Sequence, residues 1–415
     1  MKGVNRIIVK IASLCNINCT YCYMYNLGDT SYRNQPKFIS EATVRSLTEK
    51  VINHCKKFDV DKFHIILHGG EPLLMSKTEF VKMIEIFKLI EKENIEVSLS
   101  IQTNGILIDN EWCSIFEKYS ISVGVSIDGN KKSHDYYRVD KKGKGTFDKV
   151  IKGIGVLREN KIPYGCLGVM NLDIDPEEMY MGFLESNIHN LDILIMDANY
   201  DSLDSFSKRY SLSEWYIQIF NKLYFEKNKL LEFRLFRIIM DAVLGLDCDI
   251  DMLGTSENNV LVIETNGEIE PVDVLKICGE NFTKTNINVM SNELEDAFGN
   301  TLAEIYYNSG RYLSKKCLAC PVNEICGGGY IAHRYSSENG FNNPSVYCDD
   351  LLKLITYIQG TIIDDLPAEV IQSTGIQKLT YEKALAIIEE NLPTLPDPVY
   401  TEKLESFRKI EYGIV

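Results

Sequence analysis

Six short apolar, β-rich runs recur along the first part of this chain, at Ile7–Ile11, Phe63–Leu67, Val97–Ile101, Val123–Ile127, Tyr164–Val169 and Leu191–Met196. Segments of helical period lie between them. Strands that alternate with helices pack parallel, because each return needs a long crossover. The pattern predicts an α/β fold of six units, a partial barrel with its loops of interest at the C-terminal mouth. Val44, Leu47, Val51, Ile52 and Cys55 share one helical face. Ser76-Lys77-Thr78-Glu79 reads as a capping box opening the helix that carries Val81, Ile84 and Phe87. Asp175-Pro176 reads as the N-cap and first residue of a later helix.

Beyond the barrel, Ser202–Gly245 is rich in helix formers and aromatics (Trp215, Tyr216, Phe220, Tyr224, Phe233, Phe236). A hairpin is expected at Val260–Ile263 and Glu268–Val272, with Asn266-Gly267 supplying two positive-φ turn residues. From about Thr361 the chain reads as helical, with a proline break at Pro393–Pro398. The expected divisions are a barrel over 1–200, a helical bridge over 201–250, a small α+β unit over 251–360 and a helical extension over 361–415.

The 415 residues carry 44 Lys and Arg against 59 Asp and Glu, a net charge of −15. That balance argues against a nucleic-acid partner. No apolar stretch reaches membrane-spanning length, and Lys10 interrupts the short apolar run near the N-terminus, so neither a membrane nor an export signal is expected. Twelve cysteines without an export signal suggest a reducing cytoplasm and soft-metal ligation.

Three of those cysteines follow the first strand: Cys15-Asn16-Ile17-Asn18-Cys19-Thr20-Tyr21-Cys22, a C-x3-C-x2-C run. Structural zinc wants four ligands, and disulfides want a secreted context. Three thiolates on one loop suit three corners of a [4Fe–4S] cubane and leave one iron open. Short polar residues close the next strands. They are His68-Gly69-Gly70-Glu71-Pro72, Gln102-Thr103-Asn104-Gly105 and Ser126-Ile127-Asp128-Gly129, followed by His134-Asp135-x-x-Arg138 and Gly145-Thr146-Phe147. The paired glycines allow close approach of a ligand, Glu71 can accept from an ammonium group, and Arg138 can pair with a carboxylate. Cys317, Cys320, Cys326 and Cys348 form a second cluster, C-x2-C-x5-C with a later Cys, which suits zinc or iron and sulfur. Cys55, Cys113 and Cys166 read as core thiols.

Taken together, residues 4–200 resemble the radical SAM superfamily. The resemblance implies that Cys15, Cys19 and Cys22 hold a [4Fe–4S] cluster whose open iron binds S-adenosylmethionine. By motif, Tyr21 sits near the adenine, and Gly69, Gly70 and Glu71, with Pro72, meet the methionine amine. Gln102, Asn104, Ser126, Asp128 and Arg138 complete the cofactor contacts. It implies cleavage to a 5′-deoxyadenosyl radical, with the chain supplying position and exclusion of water.

The second cluster looks like a SPASM domain, which gives a partial TIM-type barrel followed by an auxiliary-cluster unit and a helical tail. The usual SPASM pattern holds two auxiliary clusters, but Tyr330 and Val272 stand where two of its cysteines would be. One auxiliary [4Fe–4S] cluster is therefore implied, held by Cys317, Cys320, Cys326 and Cys348. Cys248 and Cys278 lie near but cannot hold a cubane alone.

The text around the cysteines, notably Cys22-Tyr23-Met24-Tyr25-Asn26, Pro271-Val272-Asp273 and Cys326-Gly327-Gly328-Gly329-Tyr330, is similar to FxsB-type peptide maturases. That resemblance implies a ribosomally made precursor peptide as substrate, an aromatic ring joined to a Cβ (a cyclophane), and an electron donor such as flavodoxin or ferredoxin. No separate N-terminal peptide-recognition domain is expected, because the first strand begins almost at once. Asp273, Tyr330 and His333 flank the missing cluster's position and are the candidate bases. Thioether formation, epimerisation, formylglycine formation in a sulfatase, and a non-catalytic metal-binding scaffold are the alternatives.

Overall fold

The first strand, β1 (Arg6–Ala12), buries Ile7, Val9 and Ile11 and leaves its remaining face for other partners. The computed structural model describes residues 3–203, 209–226, 231–247 and 250–409; Cys248 lies outside the described residues. Strands β2 (Ile17–Cys19), β3 (Lys62–Gly69), β4 (Glu96–Thr103), β5 (Ile121–Ser126), β6 (Arg138–Asp140), β7 (Tyr164–Val169) and β8 (Asn190–Leu194) follow. β1, β3, β4, β5, β7 and β8 pair in that order, every neighbour parallel. Helices carry the crossovers, as parallel pairing requires. The helix Glu41–Phe58 starts on Ser40, whose hydroxyl accepts from the Thr43 amide, and buries Val44, Leu47, Val51 and Cys55 on one face. Ser76 caps Lys77–Phe87 in the same way, accepting from Glu79 N at 3.3 Å. These elements form the α/β partial barrel expected from the sequence.

The contacts divide the chain into two units. The first runs to Met170 and adds Met181–Met196 and Asn259–Glu304; the second comprises Asn171–Tyr180, Asp197–Asn258 and Ile305–Val415. The hairpin segment therefore packs with the barrel. Leu261–Ile263 pairs in parallel with β1, and Ile269–Glu270 pairs antiparallel with it in turn, extending the sheet past β1. The hairpin turn differs from the expected two-residue form. Gly267 alone has positive φ (+85°), while the Asn266 side chain accepts from Glu268 N at 3.0 Å. Glu264 N to Glu268 O closes a loop of three residues, in which only the glycine needs the left-handed region.

In the second unit, helices Leu212–Phe225 and Cys348–Asp364 are the longest. Ser211 and Glu214 form a reciprocal capping box at the first. Trp215, fully buried, donates from its indole to the Ile174 carbonyl. The C-terminal stretch is helical over Ala368–Thr374, Tyr381–Asn391 and Thr401–Glu405. Among the described residues no helix is long and apolar enough to cross a membrane.

Candidate functional site

The cysteine loop leaves the end of β1 through an irregularity in register between Lys10 and Ala12. Gly69 (φ +131°) faces that point, and a Cβ there would lie 2.1 Å from the Ala12 carbonyl. At Gly70 a Cβ would meet Tyr25 Oη at 2.1 Å and the Leu14 carbonyl at 2.2 Å. Gly70 N donates to Ala12 O and Glu71 N to Leu14 O. The chain's own backbone approaches both glycines closely and seats the cysteine loop on the strand end. Pro72 then opens a short helical turn that Glu71 caps.

Glu71 is fully buried. Its carboxylate accepts from Thr103 Oγ1 (2.7 Å), Asn104 N (2.8 Å) and Leu73 N (2.9 Å). Burial pushes its pKa up, and the three donors hold it down. Asn104 also donates to Asn16 Oδ1 at 2.7 Å and points the same amide at Cys15 Sγ, 3.8 Å away. Glu71, Asn104 and Asn16 therefore fix the first cysteine from below.

β2 pairs antiparallel with β6, which sets Cys19 opposite Arg138. Arg138 Nε donates to Asp128 Oδ2 at 2.9 Å, and Tyr21 Oη donates to the same oxygen at 2.6 Å. Asp128 Oδ1 accepts from Val169 N. The carboxylate that Arg138 pairs with in this structure is Asp128. Gln102 donates to Ser126 Oγ at 2.8 Å, so these two are also paired with each other. Burial depresses His134 to about 4, which leaves it neutral against Thr146. The thiols of Cys15 and Cys22 are pushed up to about 12 by burial, and each feels its neighbouring cysteines. Arg138 works against the same rise at Cys19.

Sequence reasoning missed a second feature of this unit. Lys10, read only as a break in an apolar run, is fully buried. Its ammonium lies 2.9 Å from Glu264 Oε1 and 3.3 Å from Asp273 Oδ2. Lys276 reaches Glu264 (3.2 Å), Glu270 (3.0 Å), Asp29 (3.6 Å) and Thr283 (3.2 Å). Tyr23, next to Cys22, donates to Asp273 Oδ2 at 2.8 Å and ties the cysteine loop to this network. Asp273 is held below the usual carboxylate range: burial opposes its charge, and Lys10, His68 and Tyr23 overcome that. Glu270 is pushed up to about 7 by burial and by Glu264. Val272 is buried beside Asp273.

In the second unit Cys317, Cys320, Cys326 and Cys348 line one apolar cavity with Val322, Gly328 and Leu352. Among the described residues no three His, Cys, Asp or Glu side chains close on a point that would hold a single metal ion. Four thiols around a void fit a polynuclear group better than one zinc ion. Burial raises the Cys320, Cys326 and Cys348 thiols, so ligation would have to release protons. His333 is buried, with Tyr330 at 5.5 Å and Tyr347 at 5.1 Å ring to ring, and its Nε2 lies 3.4 Å from Asp197. The three candidate bases thus fall in different units, Asp273 in the first, Tyr330 and His333 in the second. Cys55, Cys113 and Cys166 are buried in the first unit.

Residues 9–185 match the model of the Radical SAM superfamily. A cysteine-type anaerobic sulfatase-maturating enzyme of Clostridium novyi (strain NT) is 24% identical over 380 residues, 87% of this chain and 99% of that protein. The solved structure of native anSMEcpe with bound AdoMet and the Kp18Cys peptide superposes with a TM-score of 0.73 at 21% identity, covering 86% of this chain and 98% of that one. Streptococcus suis SuiB bound to S-adenosylmethionine gives a TM-score of 0.53 at 18% identity, over 80% and 74%. At these identities the two structures show the fold. Radical SAM proteins carry a [4Fe–4S] cluster and bind S-adenosylmethionine. The clustered Cys15, Cys19 and Cys22, with a charged and amide-rich strand edge beside them, fit those groups. Over residues 9–185 the chain is thus similar to the Radical SAM superfamily, and the protein is an enzyme.

Proposed function

We propose that this enzyme matures a ribosomally made precursor peptide by joining an aromatic ring carbon to a Cβ. Cys15, Cys19 and Cys22 would hold the [4Fe–4S] cluster that binds S-adenosylmethionine. Gly69, Gly70, Glu71, Pro72, Gln102, Asn104, Ser126, Asp128, Arg138 and Tyr21 would shape the cofactor's bed, directly or by holding one another. Cys317, Cys320, Cys326 and Cys348 would hold one auxiliary cluster. When bound, these groups supply hydrogen-atom abstraction at the first site and acceptance of one electron at the second.

The crosslink removes two C–H bonds and makes one C–C bond. One hydrogen atom, one proton and one electron therefore leave the peptide. Asp273 is the favoured acceptor of the proton, because it is a carboxylate held ionised and fixed by Tyr23 and Lys10. Tyr330 and His333 remain the other candidates. A flavodoxin or ferredoxin would supply the starting electron.

The observation that carries this reading is the four-thiol cavity. A group ligated by four thiolates has no open position, so it suits electron transfer and not substrate binding. The peptide bound in the anSMEcpe structure supports a peptide-sized substrate. A second reading, formylglycine formation in a sulfatase, is favoured by the likeness to the Clostridium novyi enzyme along nearly the whole chain. Against it stands the hairpin side, where Val272 occupies a position that would otherwise carry a thiol.

The test is to reconstitute the protein anaerobically, count iron, and weigh the neighbouring short reading frame's peptide after co-expression. About eight irons per chain and a loss of two hydrogens without an aldehyde support the crosslink. A product trapped by a hydrazide identifies formylglycine. A crosslink through sulfur identifies a thioether, and an unchanged mass identifies epimerisation. About twelve irons would overturn the single auxiliary cluster.

A further inference from the structure

Arg334 is one of the largest fully buried side chains of the protein, 1% exposed. Its guanidinium donates to five backbone carbonyls: Gly327 (2.5 Å), Gly329 (2.6 Å), Ser309 (2.7 Å), Gly328 (3.0 Å) and Tyr312 (3.3 Å). Carbonyl dipoles solvate the group but do not cancel its charge. Among the described residues, the charges that bear on it are the sulfurs of Cys317 and Cys326 and the phenol of Tyr400. None is a carboxylate. Burial pulls its pKa down, and the two sulfurs push it back up. A buried cation without an opposite charge is costly, and natural cores avoid it unless something supplies the partner.

The backbone around Arg334 is built to bring it to the cavity wall. Gly327, Gly328 and Gly329 all have positive φ (57°, 75° and 72°), a run that only glycine adopts without strain. A Cβ on Gly328 would lie 2.8 Å from Arg334 Cζ, so the guanidinium rests directly against that glycine. Gly328 in turn lines the cavity with the four cysteines. Lys316 also lines the cavity, but it is exposed, so solvent screens its charge.

We propose that Arg334 is the fixed counter-charge of the iron–sulfur group held by Cys317, Cys320, Cys326 and Cys348, and that it makes this group an easier electron acceptor. The inference rests on the auxiliary-cluster reading above. Four thiolates leave such a group anionic, and one added electron raises its negative charge by one. A buried guanidinium favours the more negative form, so it raises the reduction potential. The carbonyl cage keeps the cation in place in both redox states, so little reorganisation opposes electron arrival.

The test uses the full chain with Cys15, Cys19 and Cys22 replaced by Ala, so that only the second group is present. Its reduction by dithionite is followed by EPR in a redox titration, with R334M and R334K beside it. R334M is expected to lower the equilibrium constant for reduction at least about tenfold, and R334K to stay within about threefold. Equal midpoints in all three proteins, or equal shifts in both variants, would overturn the proposal. Where R334M loses its iron, the unsubstituted arginine decides. In protein grown on 15N-arginine, pulsed EPR of the reduced group should show a 15N coupling, and its absence would also overturn the proposal. A cysteine-triple variant that holds no iron at all would mean that the four-thiol reading has failed, which is distinct from four irons with an unmoved midpoint.

Discussion

The protein contains two buried polar centres that close their charge in opposite ways. In the first unit, Lys10 and Lys276 stand among Glu264, Glu270, Asp273 and Asp29, each cation within 4 Å of at least two acids. There each cation has carboxylate partners within the chain, and burial with Glu264 raises Glu270 toward its neutral form. In the second unit, four thiols line a cavity, and among the described residues the buried cation beside them faces sulfur, the Tyr400 phenol and carbonyl oxygen, with no carboxylate. In the reading proposed above, an anionic group fills that centre. Both lie near positions where the SPASM resemblance would place cysteines, and the auxiliary cluster proposed above falls to the second.

The largest expected effect breaks the second centre. C320A/C348A should lower iron from about eight to about four per chain and abolish the peptide product while 5′-deoxyadenosine still forms. C15A/C19A/C22A should do the reverse, ending 5′-deoxyadenosine formation by chromatography. Eight irons in C320A/C348A would erase the contrast between the centres. Next, K10M removes the cation that Glu264 and Asp273 share and leaves Glu264 with Lys276 alone, and should cost about 3–5 kcal/mol in denaturant unfolding. K10M/E264Q should cost less than the two single changes summed, because both act on one contact.

A finer test uses acidity. Glu270 in the folded protein titrates near 7, above its ordinary 4.5, so the folded state binds its proton more tightly than the unfolded state. The stability this contributes is full below about pH 4.5 and is lost as pH rises through about 7. E270Q removes that loss, so its stability relative to wild type should climb by roughly 3 kcal/mol across this window. A flat difference would mean that burial and Glu264 do not raise Glu270. The smallest effect is expected at Lys316. K316M removes an exposed charge at the cavity edge and should change stability by no more than about 0.5 kcal/mol.

Much of the first unit is legible in the amino-acid sequence. Short β-rich runs mark the six barrel strands, and Ser76 marks a helix start because its side chain serves an amide three residues on, as Asp175 does two residues on in the second unit. The buried ion network is not legible there. Lys10 and Glu264 are 254 positions apart, and a single lysine in an apolar run carries no local sign of its partner. The strand-end motifs stand out, but not their mutual contacts: Asp128 binds Arg138 and Tyr21, and Gln102 binds Ser126. The Asn266-Gly267 turn misleads by one residue, because the Asn266 side chain accepts from the Glu268 amide and Asn266 needs no positive φ.

The sequence by itself determined the alternation of elements, the two sets of cysteines and the residues Val272 and Tyr330 where the SPASM resemblance would place thiols. Those follow from short-range periodicity and spacing, which chain geometry converts directly into strands, helices and ligand loops. Only the tertiary structure decided that the hairpin extends the barrel sheet, that Gly69 and Gly70 admit Leu14 and Ala12, and that Arg334 lies against the four-thiol cavity. Each of those depends on which distant segments share a buried space, where an unpaired charge or a single added methyl group is enough to forbid the alternative.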